Sequence, residues 1–399
     1  MRPPPIRRLP LLRLALVLGV SIGFGSACNE APRRVLPAVG ERPPGWVDVR
    51  LTLPEAGDPT LGASGPFVVV DRTGRERLRG EALDYHTPIW ANAARVVLGE
   101  LELGPPPVEF RPLESTTLSV NGNRYRSLIR IECPPGKQMR VLNRISIEDY
   151  VKGVLPGEMP DRFGLEALKA QAVAARSYAL SEGAQRGFLY PDVRSQVYGG
   201  RDAETWMASR AVETTAGQVL THEGQVMSAW FQSTCGGGTA RAADVFNNPP
   251  DGVLDRTIVC ADCRTSPTWR WSRLIDVGRI CKAVDLPEAP LDSVELEPAL
   301  FPGRPIWITV KAGGQSSRIR VVDFRDRVSK GRPWDQQLLS TRWAAEPRIE
   351  EGQLRVEGHG WGHGVGLCQY GARGYARRGA GYRVILRRYY PGADLVQLQ

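Results

Sequence analysis

Three short segments of this 399-residue chain gather groups able to do chemistry where the surroundings otherwise read as structural. The first is EDYVKGVLPGEMP (148–160), which runs into a stretch carrying Lys169, Gln171, Arg176 and Tyr178. The second is AWFQSTCGGGTA (229–240) and the third HGWGHGVGLCQYGA (359–372). Glu158 stands between Gly157 and Met159, with Leu155 and Pro156 close by. A carboxyl in such apolar company has a raised pKa and keeps its proton near neutrality, as a general acid must. The plainer reading is a solvated loop Glu, or a cap for the helix that follows. Residue type alone favours the plainer reading, because most Glu side chains are solvated.

In the third segment, His359, Gly360, Trp361, Gly362, His363, Gly364 and Gly366 make a loop that can bring backbone N–H groups and an indole face against a ligand. Such a face suits the apolar side of a sugar ring, while His and Gln supply directional hydrogen bonds. His359 and His363 are four apart, like the His pair of a metalloprotease helix. No Glu follows the first, however, and glycines interrupt any helix, which counts against zinc there. The plainer reading is a packing loop whose His side chains bond to backbone. The seven cysteines are Cys28, Cys133, Cys235, Cys260, Cys263, Cys281 and Cys368. Cys260 and Cys263 form a CxxC, which serves equally as a redox pair, half a metal site, or partners for other cysteines. No βαβ pattern surrounds it, which weakens a thioredoxin-like reading.

The elements around these segments begin with an address. Arg2, Arg7, Arg8 and Arg13 precede the apolar run Leu14 to Gly25; the small residues Ser26 and Ala27 and then Cys28 follow. This is the order of a secretory signal over 1–27. The Cys after small residues resembles a lipoprotein cleavage site, with Cys28 as the lipidated residue, although Gly25 stands where such sites usually carry Leu. Residues 28–45, rich in Pro and Arg, read as a flexible tether. Six cysteines then remain, an even number that suits an oxidising compartment. The net charge of +9 falls to +5 once the four Arg of the signal are set aside. That is too little, and too dispersed, for a dedicated nucleic-acid binder. With 42% hydrophobic and 24% charged residues the chain is globular. No run of about 18 apolar residues marks a polytopic membrane protein.

From Trp46 the pattern is one of short strands. Val47, Val49, Leu51 and Leu53 alternate with polar residues. Phe67–Val70, Val96–Leu103, Ser127–Ile131 and Val141–Ile147 continue the theme. LEALKAQAVAARSYALSEG predicts the principal helix, bracketed by Gly164 and Gly183, and its Ala-rich face requires close neighbours. A second helix is predicted over Ala203–Thr215 and a short one over Gln369–Arg377. Further strands are predicted at Gln218–Leu220, Gln225–Phe231, Ile306–Val310 and Ile319–Phe324. The fold class is therefore α+β, with a β-rich region over 46–138 and a second region over 139–399.

VKGVLPGEMP, ALKAQAVAARSYAL, SQVYGG, AWFQSTCGGGTA and HGWGHGVGLCQYGARGYA stand in the order seen in the SpoIID/LytB family of bacterial sporulation and cell-wall proteins, which the chain resembles most clearly over 139–399. The resemblance implies a lytic transglycosylase that cleaves the MurNAc–GlcNAc β-1,4 bond of peptide-stripped peptidoglycan strands and leaves 1,6-anhydro-MurNAc ends. It implies Glu158 as the catalytic acid, with Glu148 and Asp161 as potential helpers. Arg176, Tyr178, Gln196, Tyr198, His359, His363 and Gln369 are the candidates for positioning substrate. The expected partners are peptidoglycan strands, and a cell-wall amidase if the chain is instead a non-catalytic amidase enhancer. A third alternative is a glycan-binding envelope lipoprotein, whose membrane contact runs through its lipid anchor at most. No cofactor is required for the cleavage.

Two departures stand out. Many members have His where Gln232 stands, and some bind a structural zinc through Cys and His nearby. Here Cys235, Cys260 and Cys263 offer either three zinc ligands or disulfide partners, and both readings stay open. Cys368 occupies a position where the family often has Ser, and is expected to be a small buried residue.

Overall fold

The computed structural model describes residues 36–51, 58–247, 252–297 and 304–398. The expectations for the signal over 1–27, for Cys28 and for residues 28–35 lie outside the described residues. Residues 36–45, expected to be part of a tether, are held against the fold. Gly40 N–H donates to Glu109 at 3.0 Å, Arg111 to the Pro37 carbonyl at 2.7 Å and Arg42 to the Gly187 carbonyl at 2.8 Å.

Alternating strands build two antiparallel six-stranded sheets. The first runs Trp46–Arg50, Arg140–Ser146, Leu128–Glu132, Val108–Pro112, Phe67–Asp71, Glu76–Gly80 in spatial order. The second runs Asn123–Tyr125, Leu118–Val120, Thr60–Ala63, Leu83–Ala91, Val96–Leu98, Leu101–Gly104. The predicted strand Val96–Leu103 is thus two strands, folded back at Gly99 with φ +59°. Arg140–Ser146 lies beyond residue 138 yet pairs on both sides within the first sheet. The β-rich region therefore takes a strand from the region that carries the motifs.

Eight α-helices occur among the described residues: α1 Ile147–Glu158, α2 Leu165–Arg186, α3 Trp206–Thr214, α4 Ala242–Val245, α5 Val277–Ala283, α6 Val321–Ser329, α7 Gln369–Arg377 and α8 Tyr382–Tyr389. None is long and apolar enough to cross a membrane. α2 is the axis. Ala167, Ala170, Ala172, Ala174, Ala175 and Ala179 are fully buried, so α1, α3, α7 and α8 all approach its backbone closely. Gly183, predicted to end it, is a buried residue within the helix; the left-handed Gly187 (φ +81°) caps it instead. The predicted strand Ile319–Phe324 also divides, into the end of the strand Gln315–Arg320 and the start of α6.

One hydrophobic core joins the two sheets to α1–α3 and α7–α8. A second, smaller core fills the segment between Trp271 and Val356, where Ile275, Ile280, Ile308, Phe324 and Val356 meet. This insert lies between the second and third motifs in sequence.

Candidate functional site

Glu158 is the last residue of α1. Ser146 caps the start of α1 by accepting from Asp149 N–H at 3.3 Å, and acidic Glu148 and Asp149 occupy its positively polarised first turn. The helix runs on through Pro156, because the first sheet and α2 pack its apolar face. The plainer reading put Glu158 in a solvated loop or at the cap of the following helix; it instead closes α1. Half-buried, it accepts the Val197 N–H at 2.8 Å and a hydrogen bond from the Gln369 side chain. Burial raises its pKa, and the two hydrogen bonds offset only part of that rise.

The carboxyl opens into a cleft of about 480 Å³. Tyr178 of α2, Trp230, Phe231, His363, Phe163 and Tyr370 form aromatic walls; Tyr178 meets Trp230 edge to face at 5.2 Å, and Phe163 meets Tyr370 at 4.9 Å. Gln232, Ser233, Arg162 and Gln369 add polar groups, and the half-exposed Trp361 stands at the rim. The glycine loop reaches this place because Leu367–Cys368 pairs in parallel with Phe231–Gln232, and because Thr234 and Trp361 exchange backbone hydrogen bonds at 3.0 and 2.8 Å. Gly366 makes the pairing possible. Its φ is +71°, and a Cβ there would fall 1.9 Å from the Trp230 carbonyl oxygen.

Of the candidate substrate-positioning residues, Tyr178, His363 and Gln369 line the cleft and Arg176, Gln196, Tyr198 and His359 do not. Arg176 is fully buried. It clamps Glu148 with two hydrogen bonds of 2.8 and 2.6 Å and donates to the Gln218 carbonyl at 2.9 Å. Gln196 is buried between the Tyr150 hydroxyl and the Ala175 carbonyl. Tyr198 donates to Asn143 at 2.7 Å and stacks beside Tyr150. His359 packs against Trp269 at 5.2 Å. None of these four faces the cleft. His363 shows its ring to the cleft, but both nitrogens serve the backbone: Nδ1 accepts from Val365 N–H at 3.1 Å, so Nε2 donates to the Phe231 carbonyl at 2.8 Å. Burial lowers its pKa to about 4, so the ring is neutral at physiological pH. The packing-loop reading of the third motif thus holds for this residue.

Glu148 is occupied by Arg176 and by the Gly217 N–H at 2.9 Å, and Asp161 accepts from Thr205 at 2.9 Å. Among the described residues that line the cleft, Glu158 is the only carboxylate. Trp230, Phe231, Gln232 and Tyr370 were within reach of sequence reasoning, since they sit inside the second and third motifs. Nothing in the sequence marked Arg162 or Phe163, which are brought in by the short turn between α1 and α2. The second motif also places Cys235 beside Cys260, Cys263 and Cys368. The four sulfurs, all buried, lie within 4.8 Å of one another. Cys368 is buried as expected, but it is one of four convergent thiols, a donor set that fits a tetrahedral soft metal ion.

The SpoIID family, described as Stage II sporulation protein, matches residues 135–222, the stretch from the last strand of the first sheet through α1, α2 and α3. An uncharacterized protein of Brachyspira hyodysenteriae is 29% identical over 87% of this chain and 92% of its own length. Stage II sporulation protein D of Bacillus amyloliquefaciens is 28% identical over 64% of this chain and 75% of its own. The amidase enhancer of Bacillus subtilis is 27% identical over 61% of this chain, which spans only 40% of that protein's length. With five motifs standing in the family's order, these matches make the chain similar to the SpoIID family, most directly over residues 135–222.

Proposed function

We propose that the chain is an exported cell-wall protein that cleaves peptidoglycan glycan strands by lytic transglycosylation, with Glu158 as the single acid and base. The observation that carries this reading is the lone carboxylate in an aromatic cleft. A hydrolytic glycosidase places two carboxyl groups about 5–9.5 Å apart, one as acid and one as nucleophile or base. A lytic enzyme needs only one. Protonated Glu158 gives its proton to the O4 of the departing GlcNAc as the MurNAc C1–O4 bond breaks. The resulting carboxylate then takes the proton of the MurNAc 6-hydroxyl while O6 bonds to C1. No water is consumed, and the acid is regenerated. The raised pKa supplies the proton for the first half, and the Val197 N–H and Gln369 stabilise the carboxylate formed between the halves. Tyr178, buried and therefore held as a neutral phenol, and the Gln232 amide offer dipoles near the developing positive charge.

The test is direct. The mature chain is incubated with peptide-free glycan strands and the products are examined by mass spectrometry for 1,6-anhydro ends. Wild type should form them, and Glu158→Gln should be slower by about 10²–10⁴-fold, the usual contribution of general acid–base catalysis. If wild type forms none, the enzyme reading fails. The relative named amidase enhancer motivates a second reading, a non-catalytic stimulator of a wall amidase. A purified amidase accelerated equally by wild type and Glu158→Gln would favour it. Export and lipidation at Cys28 rest on the N-terminal pattern and are tested by the mass of the mature N-terminus.

A further inference from the structure

We propose that Cys235, Cys260, Cys263 and Cys368 bind one zinc ion as a four-thiolate structural site. The four come from three distant places in the chain: the turn after the strand Phe231–Gln232, the CxxC turn, and the residue that caps α7. Their sulfurs nonetheless converge on one point, all within 4.8 Å of one another, with Cys235 and Cys263 at 3.6 Å. Tetrahedral zinc with Zn–S bonds of about 2.3 Å sets its sulfurs about 3.8 Å apart. Convergence of four is the mark of a shared ion. Two disulfides would need only two separate pairs.

The surroundings suit the double negative charge that four thiolates leave on a zinc ion. The Cys235 N–H and the Gly371 N–H each point at Cys368 Sγ from 3.3 Å, and the Tyr389 hydroxyl lies 3.1 Å from Cys260 Sγ. Gly371 leaves the room: a Cβ there would stand 2.6 Å from Cys260 Sγ. Close by is Arg304, a buried guanidinium that donates to the Cys235 carbonyl at 2.7 Å and the Gly238 carbonyl at 3.2 Å. Among the described residues no carboxylate pairs with it. A buried cation is costly without negative charge nearby, and a thiolate cluster beside it supplies such charge. Arg342 adds a second cation within electrostatic reach of Cys235 and Cys263. The ion takes no part in glycan cleavage. It ties the second motif to the start of α7, one residue before Gln369, and so fixes the partner of Glu158.

The metal content of the full chain tests this without reference to any activity. Purified under reducing conditions, wild type should carry about one zinc per chain by elemental mass spectrometry, and Cys133→Ser and Cys281→Ser should carry the same. Cys368→Ser and Cys260→Ser should lose most of it. Should those variants fail to fold, zinc release from folded wild type by a thiol-modifying mercurial gives the same answer, with four thiols titrated per zinc. Cobalt substitution should yield thiolate-to-metal charge-transfer bands and the intense visible bands of a tetrahedral site. A metal-free chain whose intact mass shows two disulfides, one that holds iron instead, or one in which cobalt gives no thiolate bands would overturn the proposal. Because the readout is metal and spectrum, its failure would leave the glycan-cleaving reading standing, and the reverse also holds.

Discussion

Glu158 sits between opposing influences: burial raises its pKa, while the Val197 N–H and the Gln369 side chain lower it. In the proposed cleavage the acid form starts the reaction, so kcat/KM should fall as pH climbs through the raised pKa. Gln369→Leu removes a donor to the carboxylate, and its alkaline limb should move to higher pH, as a rate–pH profile would reveal. His363 is already neutral above about pH 4, so His363→Gln should leave the position of that limb unchanged. The shift at Glu158 also has a stability consequence. A carboxyl whose pKa is raised by folding is bound more tightly to its proton in the folded chain, so it costs stability as pH rises from the unfolded value through the folded one. The melting temperature of Glu158→Gln should therefore exceed that of wild type at neutral pH, with the gap closing near pH 4. Gln232 offers a second trade. Among the described residues its buried amide has no partner, which costs roughly 1–3 kcal/mol. Gln232→Leu should melt higher yet raise KM about tenfold, the worth of one good hydrogen bond. The apolar setting of Glu158 was legible in GVLPGEMP. The vacancy of Gln232 was not, because it depends on which distant groups fail to reach it.

α1 and α7 show what a local pattern can and cannot carry at the scale of elements. α7 spans the predicted Gln369–Arg377, since the glycine loop ends abruptly before a run with helical spacing. α1 was not among the predicted helices, and Pro156 and Gly157 near its end are residues that disfavour a helix interior. A proline in the last turn forfeits a single hydrogen bond, a loss that packing against the first sheet and α2 outweighs. Ile319–Phe324 was ambiguous for another reason: a short apolar run fits a strand and the buried face of α6 equally well, and Val321, Phe324 and Val328 lie on that face. Arg176 illustrates the same limit. An Arg near an acidic motif suggests ligand binding, but its place in α2 turns it inward to lock α1 to α2 through Glu148. Glu148→Ala would strand that buried guanidinium and should destabilise the chain by about 3 kcal/mol. Chemical denaturation would measure it, while KM of the folded protein should stay unchanged. A raised KM with stability intact would return Arg176 to the substrate side.

At the scale of the whole molecule, the short strands of the β-rich region and the central helix were legible in hydrophobic period, but the assembly of those strands into two sheets and the second core were not. The strands of that core are individually readable. That they close on one another between Trp271 and Val356 is a matter of long-range pairing, as in Trp271–Asp276 with Gln353–Gly358. The insert gives the cleft more reach. Trp334 projects from it, about half exposed, and meets the half-exposed Trp361 edge to face at 5.8 Å. Trp361 belongs to the rim beside Glu158, so the pair extends an aromatic surface outward from the cleft onto the insert. A glycan long enough to leave the cleft would lay a further sugar on Trp334, while a short one would end before it. Trp334→Ala should therefore lower kcat/KM on long strands about fivefold, roughly 1 kcal/mol of aromatic contact, and leave short oligosaccharides unaffected. Trp361→Ala should weaken both. Equal losses on long and short substrates with Trp334→Ala would mean that the insert only props up the loop, and no loss on either would remove it from the binding surface.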